Sequence, residues 1–215
     1  CAAGAASDSE WGSAAAWAAA SASAGLSLRL LRRRGRTLSD PCPVKLAFIG
    51  SHGVGKTTLC YGLAARLKRD DVVLDIVREV ARRSPLPINE GTSVGAQSWI
   101  LHTQIADEIV ASATSAVVIC DRSVLDNYVY MMLAAGRQAA LDTLVTEWIK
   151  TYDLLVHVPI LERPHADGTR ATDPAFQRAV DDRLLKELGE RDLHPMRLEV
   201  LDRDAWVDAV AEEVT

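Results

Sequence analysis

From residue 44 onward, short apolar runs alternate with stretches in which apolar residues recur at helical spacing. Runs with the length and mostly non-alternating pattern of buried strands occur at 44–50, 72–77, 116–120, 154–159 and 196–201. Helical spacing occurs at 56–69, 92–114, 124–135, 138–151, 174–188 and 205–214. This alternation predicts an α/β fold in which a parallel sheet is covered by helices on both faces.

Composition narrows the class of protein. The chain has 215 residues, of which 48% are hydrophobic, enough for one domain with a sizeable core. Its net charge of -5 disfavours a general nucleic-acid binder, and we expect no nucleic-acid partner. The four cysteines form no CxxC pair, so we expect buried free thiols in a reducing, cytoplasmic compartment. The oligomeric state stays open.

The first 43 residues differ in composition from the remainder, which we expect to form the domain (44–215). Residues 11–28 are charge-free and dominated by alanine and serine, and the arginine-rich "RLLRRRGR" follows. We favour a disordered extension, because alanine and serine bury little apolar surface per residue. A transit-type presequence and a membrane segment are the alternatives, but we expect no stable membrane association.

One stretch carries a phosphate-binding pattern. "GSHGVGKTTL" (50–59) follows the first predicted strand, opens the first predicted helix, and matches G-x-x-x-x-G-K-[ST] in full. Its glycines let the backbone curl so that N–H groups surround an anion, and the helix N-terminus adds positive charge. The predicted nucleotide-binding residues are Gly50, Ser51, His52, Gly53, Val54, Gly55, Lys56, Thr57 and Thr58.

The side chains of this loop have separate expected roles. Lys56 is expected to neutralise the β- and γ-phosphates, and the Thr57 hydroxyl to bind Mg²⁺. Thr58 is expected to assist at the α-phosphate. His52 either contacts phosphate or has no specific role. The expected cofactors are therefore ATP and Mg²⁺.

An acid and an arginine follow the third predicted strand in "CDRSVLD". Asp121 ends the apolar run, where it could hold Mg²⁺ or its water. Alternatively, it could accept a proton from an acceptor hydroxyl, or cap the helix that begins near Ser123. Arg122 is suited to binding a phosphate or hydroxyl of the substrate.

Charged residues also follow the second and fourth predicted strands, at the edge where parallel sheets bind ligands. In "REVARR" (78–83), Glu79 is predicted to recognise a substrate hydroxyl or to act as general base; the alternative is a surface ion pair with Arg82 or Arg83. The polar segment 162–173 carries Arg163 and Arg170. It is predicted to be a flap that brings positive charge to the transferring group, with a plain surface loop as the alternative.

Together, "GSHGVGKTTL", "REVARR", "CDRSVLD" and "DGTR" resemble the motifs of small P-loop kinases. The resemblance spans about 44–214 and is closest to the AAA-type single-domain family that includes the ribosylnicotinamide kinase domain. That family has a Glu-x-x-Arg motif after its second strand, matched by Glu79 and Arg82. It also has a glutamine-rich helix, for which Gln97 and Gln104 are candidates, and an Asp-Gly-x-Arg lid, matched at 167–170.

Thymidylate and deoxynucleoside kinases are similar in placing an acid–arginine pair after the third strand, as at Asp121 and Arg122. These resemblances imply a P-loop NTPase fold, with a five-stranded parallel sheet in the order 2-3-1-4-5. They also imply an ATP-dependent kinase acting on a small, nucleoside-like hydroxyl compound, with adenine near residues 202–203. The expected catalytic residues are Lys56, Glu79, Asp121, Arg163 and Arg170, and the expected substrate-binding residues are Glu79, Arg82 and Arg122.

The rival function is an ATPase or nucleotide-sensing module that has no small-molecule acceptor. The sequence contains neither the N-K-x-D motif of signalling GTPases nor the LSGGQ motif of transporter ATPases. Neither absence separates a kinase from a simple ATPase, so both functions remain open at this point.

Overall fold

The computed structural model describes residues 43–88, 91–161 and 173–215. All strand pairings in this part of the chain are parallel, and the five strands lie in the order β2-β3-β1-β4-β5. The strands are β1 (Val44–Ile49), β2 (Leu74–Val77), β3 (Val117–Asp121), β4 (Leu154–His157) and β5 (Met196–Arg197). The α/β class and the order 2-3-1-4-5 are confirmed.

Six α-helices pack around the sheet within the described residues. They are α1 (Lys56–Lys68), α2 (Val94–Thr114), α3 (Val124–Ala135), α4 (Ala139–Trp148), α5 (Pro174–Glu190) and α6 (Trp206–Val214). Each predicted helix is present, with ends shifted by up to three residues. The patterns did not reveal the short 3₁₀ helix Val80–Arg83, which places Glu79 at its N-cap.

The predicted fifth strand was too long. Residues 196–201 were expected to be extended, but only Met196–Arg197 pair with β4, and Leu198–Val200 form a 3₁₀ turn. This strand lies at the edge of the sheet and has one neighbour, so few ladder hydrogen bonds oppose the turn.

Side chains of β1 alternate between two apolar layers, one on each face of the sheet. Leu46 and Phe48 pack with α1 and α6, whereas Ala47 and Ile49 pack in the layer that contains α3 and α5. Both faces are therefore covered, which explains why the strand is apolar throughout rather than alternating.

Two of the expected buried thiols are present: Cys60 and Cys120 are free and buried. Cys1 and Cys42 lie outside the described residues, as does nearly all of the predicted extension 1–43. Within the described ranges, no helix is both long and apolar enough to cross a membrane.

Candidate active site

The phosphate loop joins β1 to α1 at the carboxyl edge of the sheet. Gly50 has φ +133°, and a Cβ there would lie 2.6 Å from the carbonyl oxygen of Val158, so only glycine fits. Gly55, with φ +94°, is the N-cap of α1. A left-handed turn leading into a helix N-terminus is the geometry of an anion-binding backbone loop.

Lys56 lies in the middle of this loop and is 5% exposed. Its Nζ donates to the carbonyl oxygens of Gly50, at 2.8 Å, and of Ser51. Burial, with the charge of Arg122, lowers the pKa of the ammonium from 10.5 to about 8. A buried cation whose hydrogen bonds go to carbonyl oxygens is a strong binding group for an anionic ligand.

The Thr57 hydroxyl donates a 2.6 Å hydrogen bond to Oδ2 of Asp121, the last residue of β3. Burial raises the pKa of the Asp121 carboxyl, and the charge of Lys56 opposes that rise. Within the described residues, no group of three or more His, Cys, Asp or Glu could hold a metal by itself. A hydroxyl and a carboxylate instead fit Mg²⁺, which usually takes its other ligands from phosphates and water.

The alternative role of Asp121 as a helix cap is wrong. The N-cap of α3 is Ser123, and Asp126 completes a capping box by accepting from the Ser123 backbone N–H. Asp126 also accepts from the Gly50 N–H at 2.9 Å and so fixes the start of the phosphate loop. We did not predict this role, although S-x-x-D before an apolar run is a signal that could have revealed it.

Glu79 forms ion pairs with two arginines at the same edge of the sheet. Its Oε1 accepts from Arg122 Nε at 2.7 Å, and its Oε2 accepts from Arg82 Nε at 2.8 Å. Burial alone would raise the pKa of the Glu79 carboxyl, but the charges of Arg122 and Lys56 outweigh it and lower the pKa to about 2. The ion-pair alternative is thus correct for Arg82, while Arg83 pairs with Asp107.

Arg122 combines three unusual properties. It has φ +93°, a strained conformation for a residue other than glycine. It is 5% exposed, and its Nη1 has no hydrogen-bond partner among the described residues. Its guanidinium carbon lies 5.0 Å from the centre of the Tyr130 ring. A strained, buried arginine with a spare donor is well suited to binding a ligand oxygen.

A cleft beside the phosphate loop contains both Glu79 and Arg122. Its walls combine two carboxamides, an aromatic ring and apolar side chains, and it is open to solvent. The lining residues are His52, Glu79, Ala81, Arg82, Ile88, Gln97, Ile100, Arg122, Asn127 and Tyr130. Such a mixed polar and apolar lining is typical of a small-molecule site.

His52 belongs to the phosphate loop, yet its ring lies in the wall of this cleft. Its Nδ1 is 3.1 Å from the Tyr130 hydroxyl oxygen. The backbone of the loop is also tied to α5: Gln177 Nε2 donates to the His52 carbonyl, and Ser51 Oγ donates to the Gln177 carbonyl. No local sequence pattern indicated the contacts of Tyr130 and Gln177, because these contacts join distant parts of the chain.

Other predicted residues have varied locations. Val54 is buried in the core, and Thr58 is exposed in the first turn of α1. Gln97 lines the cleft, whereas Gln104 is buried behind it. Arg163, Arg170 and the 167–170 motif lie outside the described residues.

A Cβ placed on Gly55 would lie 3.6 Å from Arg203 Nη2, so the loop after β5 reaches the phosphate loop.

Comparison with protein families shows to which family the chain belongs. A family described as an AAA domain matches residues 45–204, which include the phosphate loop, Glu79 and Asp121. The chain belongs to this AAA-domain family. No curated protein sequence matches it.

Several solved structures share the fold of this AAA-domain protein. A NadR protein in complex with NR has a TM-score of 0.62 and 21% identity, covering 86% of this chain and 54% of the NadR chain. The chain thus spans about half the length of that NadR protein.

Two smaller proteins match over nearly their whole length. Thymidylate kinase from Ehrlichia chaffeensis has a TM-score of 0.56 and 20% identity, covering 80% of this chain and 97% of its own. Deoxyadenosine kinase from M. mycoides with bound dATP has a TM-score of 0.56 and 14% identity. The match covers 79% of this chain and 98% of the kinase chain. At these identities the likeness concerns the fold.

Proposed function

We propose that this protein is a kinase that transfers the γ-phosphoryl group of ATP to a hydroxyl group of a nucleoside-like small molecule. The observation that carries the proposal is the position of Glu79. It lines both a cleft beside the phosphate loop and the neighbouring pocket that contains Thr57 and Asp121. Its carboxylate pairs with Arg122 and is close enough to Lys56 for their charges to interact. An ATPase would not need such a second pocket beside the γ-phosphate.

The donor half of the site consists of the phosphate loop and β3. The loop backbone and Lys56 would hold the β- and γ-phosphates, and Thr57 and Asp121 would hold Mg²⁺. When bound, Mg²⁺ supplies neutralisation of the charge that develops on the phosphate oxygens. Arg163 and Arg170 keep their predicted role at the transferring group as part of this proposal.

The acceptor half is the cleft. Glu79, ionised because its pKa is about 2, would accept a hydrogen bond from the acceptor hydroxyl and orient its oxygen toward the γ-phosphorus. Phosphoryl transfer passes through a loose transition state, so a weak base can take the proton late, after the P–O bond to ADP has largely broken. Asp121 is the other candidate for this role: burial raises the pKa of its carboxyl, and one of its oxygens accepts from the Thr57 hydroxyl.

The polar lining of the cleft fits a nucleoside-like acceptor. Glu79 offsets one of the two arginines, and the remaining lining side chains include the neutral Gln97 and Asn127. A nucleoside offers hydroxyls to Glu79 and Arg122 and a ring with polar edges to the carboxamides. The structural relatives, named for or bound to nucleosides and nucleotides, support the same class.

The direct test is transfer from γ-labelled ATP with Mg²⁺ to a panel of ribosylnicotinamide, adenosine, cytidine, uridine, guanosine, thymidine, AMP and TMP. We expect label on a nucleoside, and at least about a 100-fold loss of transfer in Lys56→Ala. Lys68→Ala, an exposed lysine in the last turn of the same helix, is the control and should transfer normally. Release of inorganic phosphate at the same rate with and without every acceptor would favour the ATPase instead.

A further inference from the structure

A fully buried carboxylate lies behind the acceptor cleft, in α2. Glu108 is 0% exposed and accepts hydrogen bonds from four side chains. Its partners are Lys45 Nζ at 2.8 Å, Gln104 Nε2 at 2.9 Å, Trp148 Nε1 at 2.7 Å and the Tyr152 hydroxyl at 2.5 Å. A carboxylate has about four acceptor positions, so Glu108 is saturated and its partners are held firmly.

Two of these partners reach the same short turn, residues 122–124. Gln104 Nε2 also donates to the Arg122 carbonyl oxygen at 3.2 Å. The Tyr152 hydroxyl oxygen accepts from the Val124 backbone N–H at 3.1 Å. The two peptide groups on either side of Ser123 are therefore both fixed from behind by side chains that Glu108 holds.

The backbone of turn 122–124 needs these hydrogen bonds, because one of its residues has a strained conformation. Arg122 has φ +93°, and a strained conformation persists only when its surroundings over-determine it. This backbone conformation sets the direction in which the Arg122 side chain leaves the main chain, and so determines where the guanidinium lies in the cleft. In that direction Nε meets Glu79 at 2.7 Å, and Nη1 remains available to a ligand.

We propose that Gln104 and Tyr152 are positioning residues: held by Glu108, they fix turn 122–124 and thereby hold the Arg122 guanidinium against Glu79 in the acceptor cleft. They act through Arg122 and touch neither substrate. The kinetic part of this inference rests on the proposed kinase function, whereas its structural part does not.

The main test compares Tyr152→Phe with Tyr128→Phe in the full chain. Both changes delete a buried hydroxyl, but the Tyr128 hydroxyl bonds the backbone of Gln138, away from turn 122–124. In Tyr152→Phe we expect hydrogen exchange at the Val124 amide and at Arg122 Nε–H to accelerate about fivefold to tenfold, measured by NMR. Tyr128→Phe should leave both rates unchanged.

Kinetics give the second readout, with the best acceptor found in the nucleoside panel. Tyr152→Phe and Gln104→Leu should raise the acceptor KM about fivefold and leave the ATP KM within about twofold of wild type. A merely structural role would lower the amount of active enzyme without separating the two KM values.

Glu108→Gln extends the test and has its own control. It replaces one acceptor oxygen by a donor and should change exchange and acceptor KM at least as much as Tyr152→Phe. Glu187→Gln alters another fully buried glutamate, which pairs with arginines in and near α5. Glu187→Gln should leave both the hydrogen-exchange rates and the acceptor KM unchanged. If Glu108→Gln does not fold, the two single-partner variants still decide.

The outcomes separate this inference from the kinase proposal. Unchanged exchange at Val124 and Arg122 in Tyr152→Phe overturns the inference, whether or not transfer occurs. Faster exchange with equal KM values in Tyr152→Phe and Tyr128→Phe overturns the positioning role. If no acceptor is labelled, the kinase proposal fails, and faster exchange at both positions still supports the fixing of the turn.

Discussion

The hydroxyl of Tyr130 lies where the phosphate loop meets the acceptor cleft. It is 3.1 Å from His52 Nδ1, and the Tyr130 ring lies under the Arg122 guanidinium. Tyr130→Phe keeps the ring and removes the contacts of the hydroxyl with His52 and with the Arg122 side chain. We expect the acceptor KM to rise about fivefold while the ATP KM changes by less than about twofold, in steady-state assays with each substrate varied.

Tyr128→Phe is also the control for this substitution. Tyr128 lies two positions earlier in α3, and its hydroxyl bonds the Gln138 backbone outside the cleft. Equal effects of the two substitutions on the acceptor KM would show that the Tyr130 hydroxyl does not serve the acceptor site.

At the residue scale, the sequence pointed to the side chains that the structure brings together at the phosphate loop, but not to the long-range contacts of the neighbouring cleft. Lys56 and Thr57 belong to one contiguous motif, whose spacing alone specifies phosphate chemistry. Asp121 was placed by the rule that ligands bind after the strands of a parallel sheet. Tyr130 and Gln177 reach His52 across 78 and 125 positions, and no local pattern encodes a contact of that separation.

Among the secondary-structure elements, the close approach of the phosphate loop to the end of β4 constrains Gly50. A Cβ at this position would lie 2.6 Å from the Val158 carbonyl oxygen, and φ is +133°. We expect Gly50→Ala to lower the free energy of unfolding by about 2–3 kcal/mol in urea titrations, because both strain and overlap must be relieved. It should also abolish the increase in melting temperature that we expect ATP to produce in the wild type.

Gly189→Ala is the matched control for Gly50→Ala. Gly189 lies in α5, where a Cβ would meet nothing within 4 Å. There, alanine should be neutral or stabilise the protein by up to about 1 kcal/mol. A Gly50→Ala protein as stable as the Gly189→Ala protein would contradict the account of the loop.

Periodicity located the elements but not their neighbours. The apolar runs identified the five strands of the described residues, most clearly β1 and β3, which are buried on both faces and so carry a continuous signal. Their order came from the resemblance, since the pairing of β1 with β3 and β4 joins residues more than 70 positions apart. The length of β5 was overestimated, because an apolar sequence does not distinguish an edge strand from the turn that ends it.

For the whole molecule, the central feature is a division of the carboxyl edge into two half-sites. The phosphate loop, Thr57 and Asp121 form one, and the cleft with Arg122 forms the other. Glu79 lines the boundary between the two, and the charge of Lys56 helps to lower the pKa of its carboxyl. The account therefore requires that Glu79 can be changed without loss of nucleotide binding.

The most direct measurement compares wild type with Glu79→Gln for two quantities: AMP-PNP affinity by calorimetry, and phosphoryl transfer to the acceptor. Asp75→Asn, an exposed carboxylate in β2, is the control and should match wild type in both. We predict that Glu79→Gln keeps AMP-PNP affinity within about threefold and loses at least about 100-fold in transfer. Transfer by Glu79→Gln at the wild-type rate would contradict the assignment of the acceptor half-site.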